Sequence, residues 1–215
     1  MSPSSLRLAN GVSAMLWEVH GRAPAVLVIH GYGSRKENHS DFAEQVAARG
    51  MAAMAIDLPG HGETGGRLGP AALDAVLAGI DALGDAGHAR IGLRGSSLGG
   101  LLALAAAARR PELVAAIVAI CPAQPALLAR RLEADWPLAI DLEHAARLPG
   151  IARGYWHATG DDRVPWAGTL RLAQISPPPV YLRVKMGGGH TTLQHDPEVL
   201  RDAADFLAEH LGGDG

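Results

Sequence analysis

Short, nearly continuous apolar runs recur along this chain, and between them lie stretches whose apolar residues return at helical spacing. The runs are residues 25–30 (AVLVIH), 51–57 (MAAMAID), 89–93 (ARIGL), 113–121 (LVAAIVAIC), 153–158 (RGYWHA) and 180–186 (VYLRVKM). Apolarity without alternation predicts strands covered on both faces, as in parallel sheets. The stretches 41–49, 70–86 and 98–110 read as helices. Ser40 or Asp41 is placed to cap the first, and Gly50 to stop it. Pro70 opens the second, Gly87 lies past its end, and Leu73, Val76, Leu77 and Ile80 form its apolar stripe. The third is alanine-rich, ends at Pro111 and carries Arg109 and Arg110 in its last turn, where cations favour the dipole. A final helix opens at Asp196-Pro197 with Val199, Leu200, Ala203, Phe206 and Leu207 at helical spacing.

Strand–helix alternation at this pitch predicts a doubly wound, mostly parallel α/β sheet. Ahead of it, residues 6–19 hold Asn10-Gly11 between two alternating runs. That predicts an antiparallel hairpin at one sheet edge, with a type I′ turn and positive φ at both central residues. Residues 122–149 break the rhythm, being polar, helical-looking and marked by Trp136. They read as a small lid-like insertion in a single domain spanning 1–215. Pro177-Pro178-Pro179 is too short to separate domains.

Composition narrows the function classes. With 48% hydrophobic and 19% charged residues the chain is globular, not disordered. The net charge is -3, and no run of Lys/Arg tracks a phosphate backbone, so no nucleic-acid partner is expected. The single cysteine, Cys121, excludes an internal disulfide and reads as core packing. The start, Met1-Ser2-Pro3-Ser4-Ser5-Leu6-Arg7, lacks the pattern of a signal peptide. The most apolar stretch, 101–121, is broken by Arg109-Arg110-Pro111-Glu112 and cannot span a bilayer. A cytoplasmic location and no membrane partner are the expectation. Nothing in the sequence sets an oligomeric state.

The chemistry concentrates in four places. Gly95-Ser96-Ser97-Leu98-Gly99 joins a predicted strand to a predicted helix. A Gly-x-Ser-x-Gly turn there pushes the Ser97 hydroxyl out above the sheet, and its glycines avoid Cβ clashes. His30-Gly31-Tyr32-Gly33 follows the first central strand. Its backbone can turn the Tyr32 N–H, together with that of Leu98, toward a carbonyl oxygen as an oxyanion hole. Tyr155-Trp156-His157-Ala158-Thr159-Gly160-Asp161-Asp162 ends a strand on two carboxylates. Either can reach a base, and chemistry alone does not separate them. Met186-Gly187-Gly188-Gly189-His190 makes a supple loop that can carry an imidazole back over the sheet. His190 is therefore the candidate base, with His195 behind it. No His pair has metal-site spacing, so neither a metal nor another cofactor is expected. Tyr32, Trp136 and Trp166 are candidates to line a substrate pocket, whereas Trp156 lies inside a strand.

These segments resemble the α/β-hydrolase superfamily over almost the whole chain. His30-Gly31-Tyr32-Gly33 resembles its oxyanion loop, Asp57-Leu58-Pro59-Gly60-His61-Gly62 its turn after the next strand, and Gly95 to Gly99 its nucleophile elbow. The family's acid turn reads Gly-x-x-Asp-x-x-Val-Pro. Laid on residues 158–165 it puts the acid at Asp161, with Ala158 in place of the glycine. Ser97, Asp161 and His190 then follow the family's chain order. The serine disfavours members with a carboxylate nucleophile, and dienelactone hydrolases usually carry cysteine there. The resemblance is greatest to small carboxylesterases and acyl-hydrolases with a minimal lid. It implies a serine hydrolase cleaving an ester or thioester of a small substrate through an acyl-enzyme. The alternatives are an amidase, peptidase or acyltransferase on the same triad and, further off, a non-catalytic binding protein.

Overall fold

The computed structural model describes residues 2–19 and 23–212, and the remainder of the expected 1–215 domain, with Met1, lies outside the described residues. Among the described residues eight strands form one sheet. They are β1 Ser4–Arg7, β2 Ser13–Trp17, β3 Ala25–Ile29, β4 Ala52–Ile56, β5 Ile91–Ser96, β6 Val114–Ile120, β7 Ala152–Ala158 and β8 Val180–Lys185. Their order is β1-β2-β4-β3-β5-β6-β7-β8. β1 and β2 are antiparallel, β2 runs antiparallel to β4, and every later pairing is parallel. This is the doubly wound, mostly parallel arrangement that the alternation predicted and the α/β-hydrolase fold that the resemblance implied.

Among the described residues seven α-helices accompany the sheet: α1 Ser40–Ala47, α2 Ala71–Asp85, α3 Leu98–Ala107, α4 Pro125–Leu132, α5 Leu142–Arg147, α6 Trp166–Ile175 and α7 Pro197–Leu211. α1 and α7 pack on one face through Phe42, Val46, Val199, Leu207 and Leu211. α2, α3, α5 and α6 pack on the other through Val76, Ile80, Leu101, Ala146 and Leu172. Every residue of α3 is buried, which an all-apolar helix between sheet and neighbouring helices requires. Among the described residues no helix is long and apolar enough to cross a membrane.

Two local expectations are corrected. The hairpin turn is not type I′: Gly11 has φ 85, but Asn10 does not have positive φ. The Gly11 N–H donates to Leu8 O and the Leu8 N–H to Val12 O, each at 2.8 Å. That is a type I turn closed by a glycine bulge, which needs one left-handed residue rather than two. Nor does Ser40 or Asp41 cap α1. A 3-10 turn, Lys36–His39, precedes the helix, so His39 occupies the cap position. The Ser40 hydroxyl instead donates to Glu37 O at 2.9 Å.

Segment 122–149 contains α4, a 3-10 turn (Trp136–Ala139) and α5. α5 packs against α3 and α6 and so serves as the crossover helix between β6 and β7. The part ahead of it leaves the carboxyl end of β6 beside Ser97, where the Ala123 N–H donates to Ser97 O at 3.0 Å.

Register sets where chemistry can occur. Ile29 lies opposite Ile56 and Gly95, Ser96 opposite Ile120, and Ile120 opposite Trp156. The parallel strands therefore end together, and the loops after β3, β5, β7 and β8 crowd one edge of the sheet, the usual ligand side of an open α/β fold.

Candidate active site

β5 leads straight into Ser97, which has φ 55 and ψ -116 and stands immediately before α3. A non-glycine residue in that region is strained and persists only where its surroundings over-determine it. Here they do. The Ser97 N–H donates to Ile120 O at 2.9 Å, and its carbonyl receives Ala123 N–H at 3.0 Å and Leu101 N–H at 3.2 Å. A Cβ on Gly95 would lie 2.1 Å from Gly99 O, and one on Gly99 would lie 2.2 Å from Ile29 O. Both obstacles are backbone, which cannot swing aside. Gly99→Ala should therefore lower stability by about 3 kcal/mol. Gly65→Ala, with nothing within 4 Å of its new Cβ, should stay within about 0.5 kcal/mol of wild type. Urea midpoints of the two variants check this, and equal midpoints would refute the tight-elbow account.

The loop after β3 abuts this turn. A Cβ on Gly31 would sit 3.4 Å from that of Ser97 and 3.1 Å from Ser96 O. The N–H groups of Tyr32 and Leu98 meet no acceptor among the described residues. Leu98 is the first residue of α3, so its N–H also lies at the positive end of the helix dipole. His30 braces the loop from below. Its Nδ1 lies 2.7 Å from Gly31 O, and its Nε2 accepts the Leu58 N–H at 3.0 Å. His61 Nε2 likewise accepts the Gly33 N–H at 3.0 Å. Farther along, Lys36 Nζ is 2.8 Å from carboxylates of Asp57, Glu37 and Glu63. Burial opposes its charge, but those hydrogen bonds outweigh the cost and raise its pKa.

His30 gives the fold a pH dependence. Burial pushes its pKa down to about 4, and a proton on Nε2 would also face the Leu58 N–H. In the unfolded chain the ring titrates near its ordinary 6.5. Between these values the unfolded state binds more protons, so stability falls as pH falls through that window. His30 alone accounts for on the order of 3 kcal/mol across it. His39, held well below its ordinary value by burial and by Arg94, acts in the same direction. Thermal melts from pH 7 to pH 4 should show falling Tm, with a shallower slope in His30→Gln. A flat profile would contradict this.

Asp161 and His190 meet across the loops after β7 and β8. Nδ1 of His190 lies 2.7 Å from Asp161 Oδ2. The other carboxylate oxygen accepts the N–H groups of Arg163 at 2.9 Å and Val164 at 2.8 Å. Burial would raise this carboxyl's pKa, but those amides and the His190 ring outweigh it and hold it below the ordinary value. Asp162 is exposed. Beneath the pair lies buried His157, whose Nε2 is 3.0 Å from Val164 O and 3.3 Å from Asp161 Oδ2, while its Nδ1 meets Thr169 Oγ1 at 2.7 Å. The His190 loop is held by Gly187 N–H donating to Thr159 Oγ1 and Gly189 N–H to Thr192 Oγ1, both at 2.9 Å. No hydrogen bond joins Ser97 Oγ to His190 among the described residues. His195 is engaged elsewhere, 2.9 Å from Asp41 Oδ2 and stacked on His39.

Residues 21–140, more than half of the chain, match the family model described as Serine aminopeptidase, S33. The chain belongs to this S33 family of α/β hydrolases. It is 36% identical over 128 residues to a pimeloyl-[acyl-carrier protein] methyl ester esterase of Xylella fastidiosa, covering 60% of this chain and 46% of that one. It is 33% identical over 129 residues to Esterase Rv0045c of Mycobacterium tuberculosis, covering 58% and 41%. The match thus spans about half the length of these relatives. Among solved structures, Est1E from Butyrivibrio proteoclasticus with bound ferulic acid superposes with a TM-score of 0.82 at 18% identity, covering 97% of this chain and 99% of that one. A predicted CIB-like hydrolase from Thermoplasma acidophilum gives 0.76 at 21% identity, covering 97% and 99%. Likeness at that identity speaks to the fold.

Among the described residues, two groups bring three metal-type donors within 4.8 Å of one another: Cys121, Asp161 and His190, and Glu37, Asp57 and Glu63. In the second, the Lys36 ammonium already serves as the cation. In the first, the Asp161–His190 hydrogen bond takes up the space between two donors. There the Cys121 thiol is pushed up to about 12, first by burial and then by the Asp161 charge. Of the candidate pocket residues, Tyr32 is 59% exposed beside the elbow and Trp166 is 37% exposed at the start of α6. Trp136 packs half-buried against the core, and Trp156 is fully buried. Sequence reasoning passed over His157, Arg94 and Lys36. For the first two a signal existed: each is a polar residue inside or beside an otherwise apolar strand run.

Proposed function

We propose that this chain is a serine hydrolase that cleaves a carboxylic ester or thioester of a small substrate through an acyl-enzyme. The reading is carried by the backbone of Ser97, an over-determined left-handed residue between strand and helix that presents its hydroxyl beside unused N–H groups. Ser97 Oγ attacks the carbonyl carbon. His190 Nε2 takes the hydroxyl proton and passes it to the leaving group. Asp161, bound to Nδ1, fixes the imidazole tautomer and stabilises the imidazolium. The N–H groups of Tyr32 and Leu98 receive the oxyanion. Water, deprotonated by the same ring, then releases the acid and restores Ser97. Hydrogen bonds between base and nucleophile are commonly long in unliganded sites and tighten when substrate binds, which is the step required here of Ser97 and His190.

The esterase names of the relatives favour esters. The family description favours a second reading, amide or peptide cleavage by the same residues. Segment 122–149, as a lid over the cleft, would select the acyl group, with Tyr32, Trp136 and Trp166 as its apolar lining. No cofactor enters this scheme. The test is stoichiometric labelling by a fluorophosphonate, read by intact mass, together with turnover of p-nitrophenyl esters, thioesters and aminoacyl amides. Labelling at Ser97 with ester or thioester turnover supports the proposal. Turnover of amides alone moves the assignment to the second reading. Folded protein that neither labels nor turns over any of the three would favour a binding protein.

A further inference from the structure

We propose that Gln194 is a positioning residue that clamps the His190 loop to the strand carrying Ser97. This rests on the catalytic roles proposed for those two residues. The loop between β8 and α7 is glycine-rich and exposed from Met186 to Gly188, and its first buried residue past His190 is Leu193. Gln194 follows, in a 3-10 turn, Leu193–His195. Both of its oxygens are held by β5. Arg94 Nη2 donates to its carbonyl at 2.9 Å, and Ser96 Oγ donates to its side-chain Oε1 at 3.2 Å. Arg94 and Ser96 flank Gly95 on the strand face opposite α3, three and one residues ahead of the nucleophile respectively.

Arg94 is an unusual choice for this duty. It is fully buried, and burial pulls its pKa down to about 10. No carboxylate touches it among the described residues, and its Nε–H lacks an acceptor. It is held instead by the His39 ring, whose Nδ1 lies 2.9 Å from Nη1, and by the face of Phe42, 5.1 Å away. Burying an incompletely paired cation costs stability, and a strand residue serving only to fill the core would be apolar. What that cost secures is the grip on residue 194, four positions past the base. Proton transfer needs His190 and Ser97 brought within hydrogen-bond reach, and misplacement by about 1 Å can cost on the order of a hundredfold in rate. The clamp sets that spacing by tying the base loop to the strand that ends at the nucleophile.

The test compares wild type, Gln194→Ala, Ser96→Ala, the double variant and Gln194→Glu. Each single alanine variant should lose roughly ten- to a hundredfold in kcat with KM changed less than about twofold. The double variant should be no worse than the poorer single, because both remove one bond. Gln194→Glu keeps an oxygen acceptor and should recover most of the loss. Hydrogen exchange of the 187–192 amides should rise in the alanine variants while the β5 amides stay protected. Wild-type kcat and exchange in both single variants would overturn the clamp, as would multiplicative losses in the double. If Gln194→Ala fails to fold, Ser96→Ala, which deletes a single hydroxyl, decides alone. Wild type that does not label with a fluorophosphonate at all overturns the catalytic reading instead, and the clamp with it.

Discussion

Ser97→Ala should lower kcat for ester hydrolysis by roughly a million-fold while leaving the protein folded. The hydroxyl is the only group removed, and nothing else in the proposed scheme can form the acyl-enzyme. The remaining rate should still exceed that in water, because the N–H groups of Tyr32 and Leu98 would go on polarising a bound carbonyl. The fold should not suffer, since Ser97 is held by main-chain bonds to Ile120, Ala123 and Leu101 that alanine keeps. Alanine also keeps the strain of φ 55, whereas glycine relieves it. Ser97→Gly should therefore be inactive yet more stable than Ser97→Ala by about 1 kcal/mol. Steady-state kinetics with active-site titration, paired with urea unfolding, read both effects. Undiminished turnover by folded Ser97→Ala would remove this residue from the mechanism.

The second large effect separates two adjacent carboxylates. Asp161→Asn should cost about ten-thousandfold in kcat, and Asp162→Asn less than about threefold. The N–H groups of Arg163 and Val164 fix which oxygen of residue 161 stays an acceptor, so an asparagine there would turn its NH2 toward His190 Nδ1. The ring would then carry its proton on Nε2 and could not accept one from Ser97. Asp162 is exposed and offers its neighbour no such geometry. Kinetics of the two variants, with circular dichroism to verify folding, decide the matter. Comparable losses in both, or loss only in Asp162→Asn, would transfer the role.

Much of the candidate site is legible in the sequence. The elbow was readable because its glycines answer a local need: a backbone with no room for Cβ at residues 95 and 99. The His190 loop was readable because three consecutive glycines before a histidine are hard to explain by packing. Asp161 was separable from Asp162 only through resemblance, since both end the same strand. The bracing groups were harder to find. His157 and Arg94 stood out as polar residues in or beside apolar runs, yet nothing nearby in sequence named their partners. The Lys36–Asp57 pair spans 21 positions and the Arg94–Gln194 bond spans 100. The hairpin turn misled for a related reason. Asn10-Gly11 fits two turn types, and the pairing of Arg7 with Ser13 admits only the one with a bulge.

By itself the sequence determined the alternation of buried strands and helices, the sharp turn at Ser97 and the loops that had to be supple. These follow from periodicity and from steric limits within a few residues. Tertiary structure alone decided the strand order, which carboxylate faces His190, and the contacts of the β5 residues ahead of Ser97. Those outcomes depend on register between distant strands and on the desolvation of charges that have no neighbour in the chain to announce them.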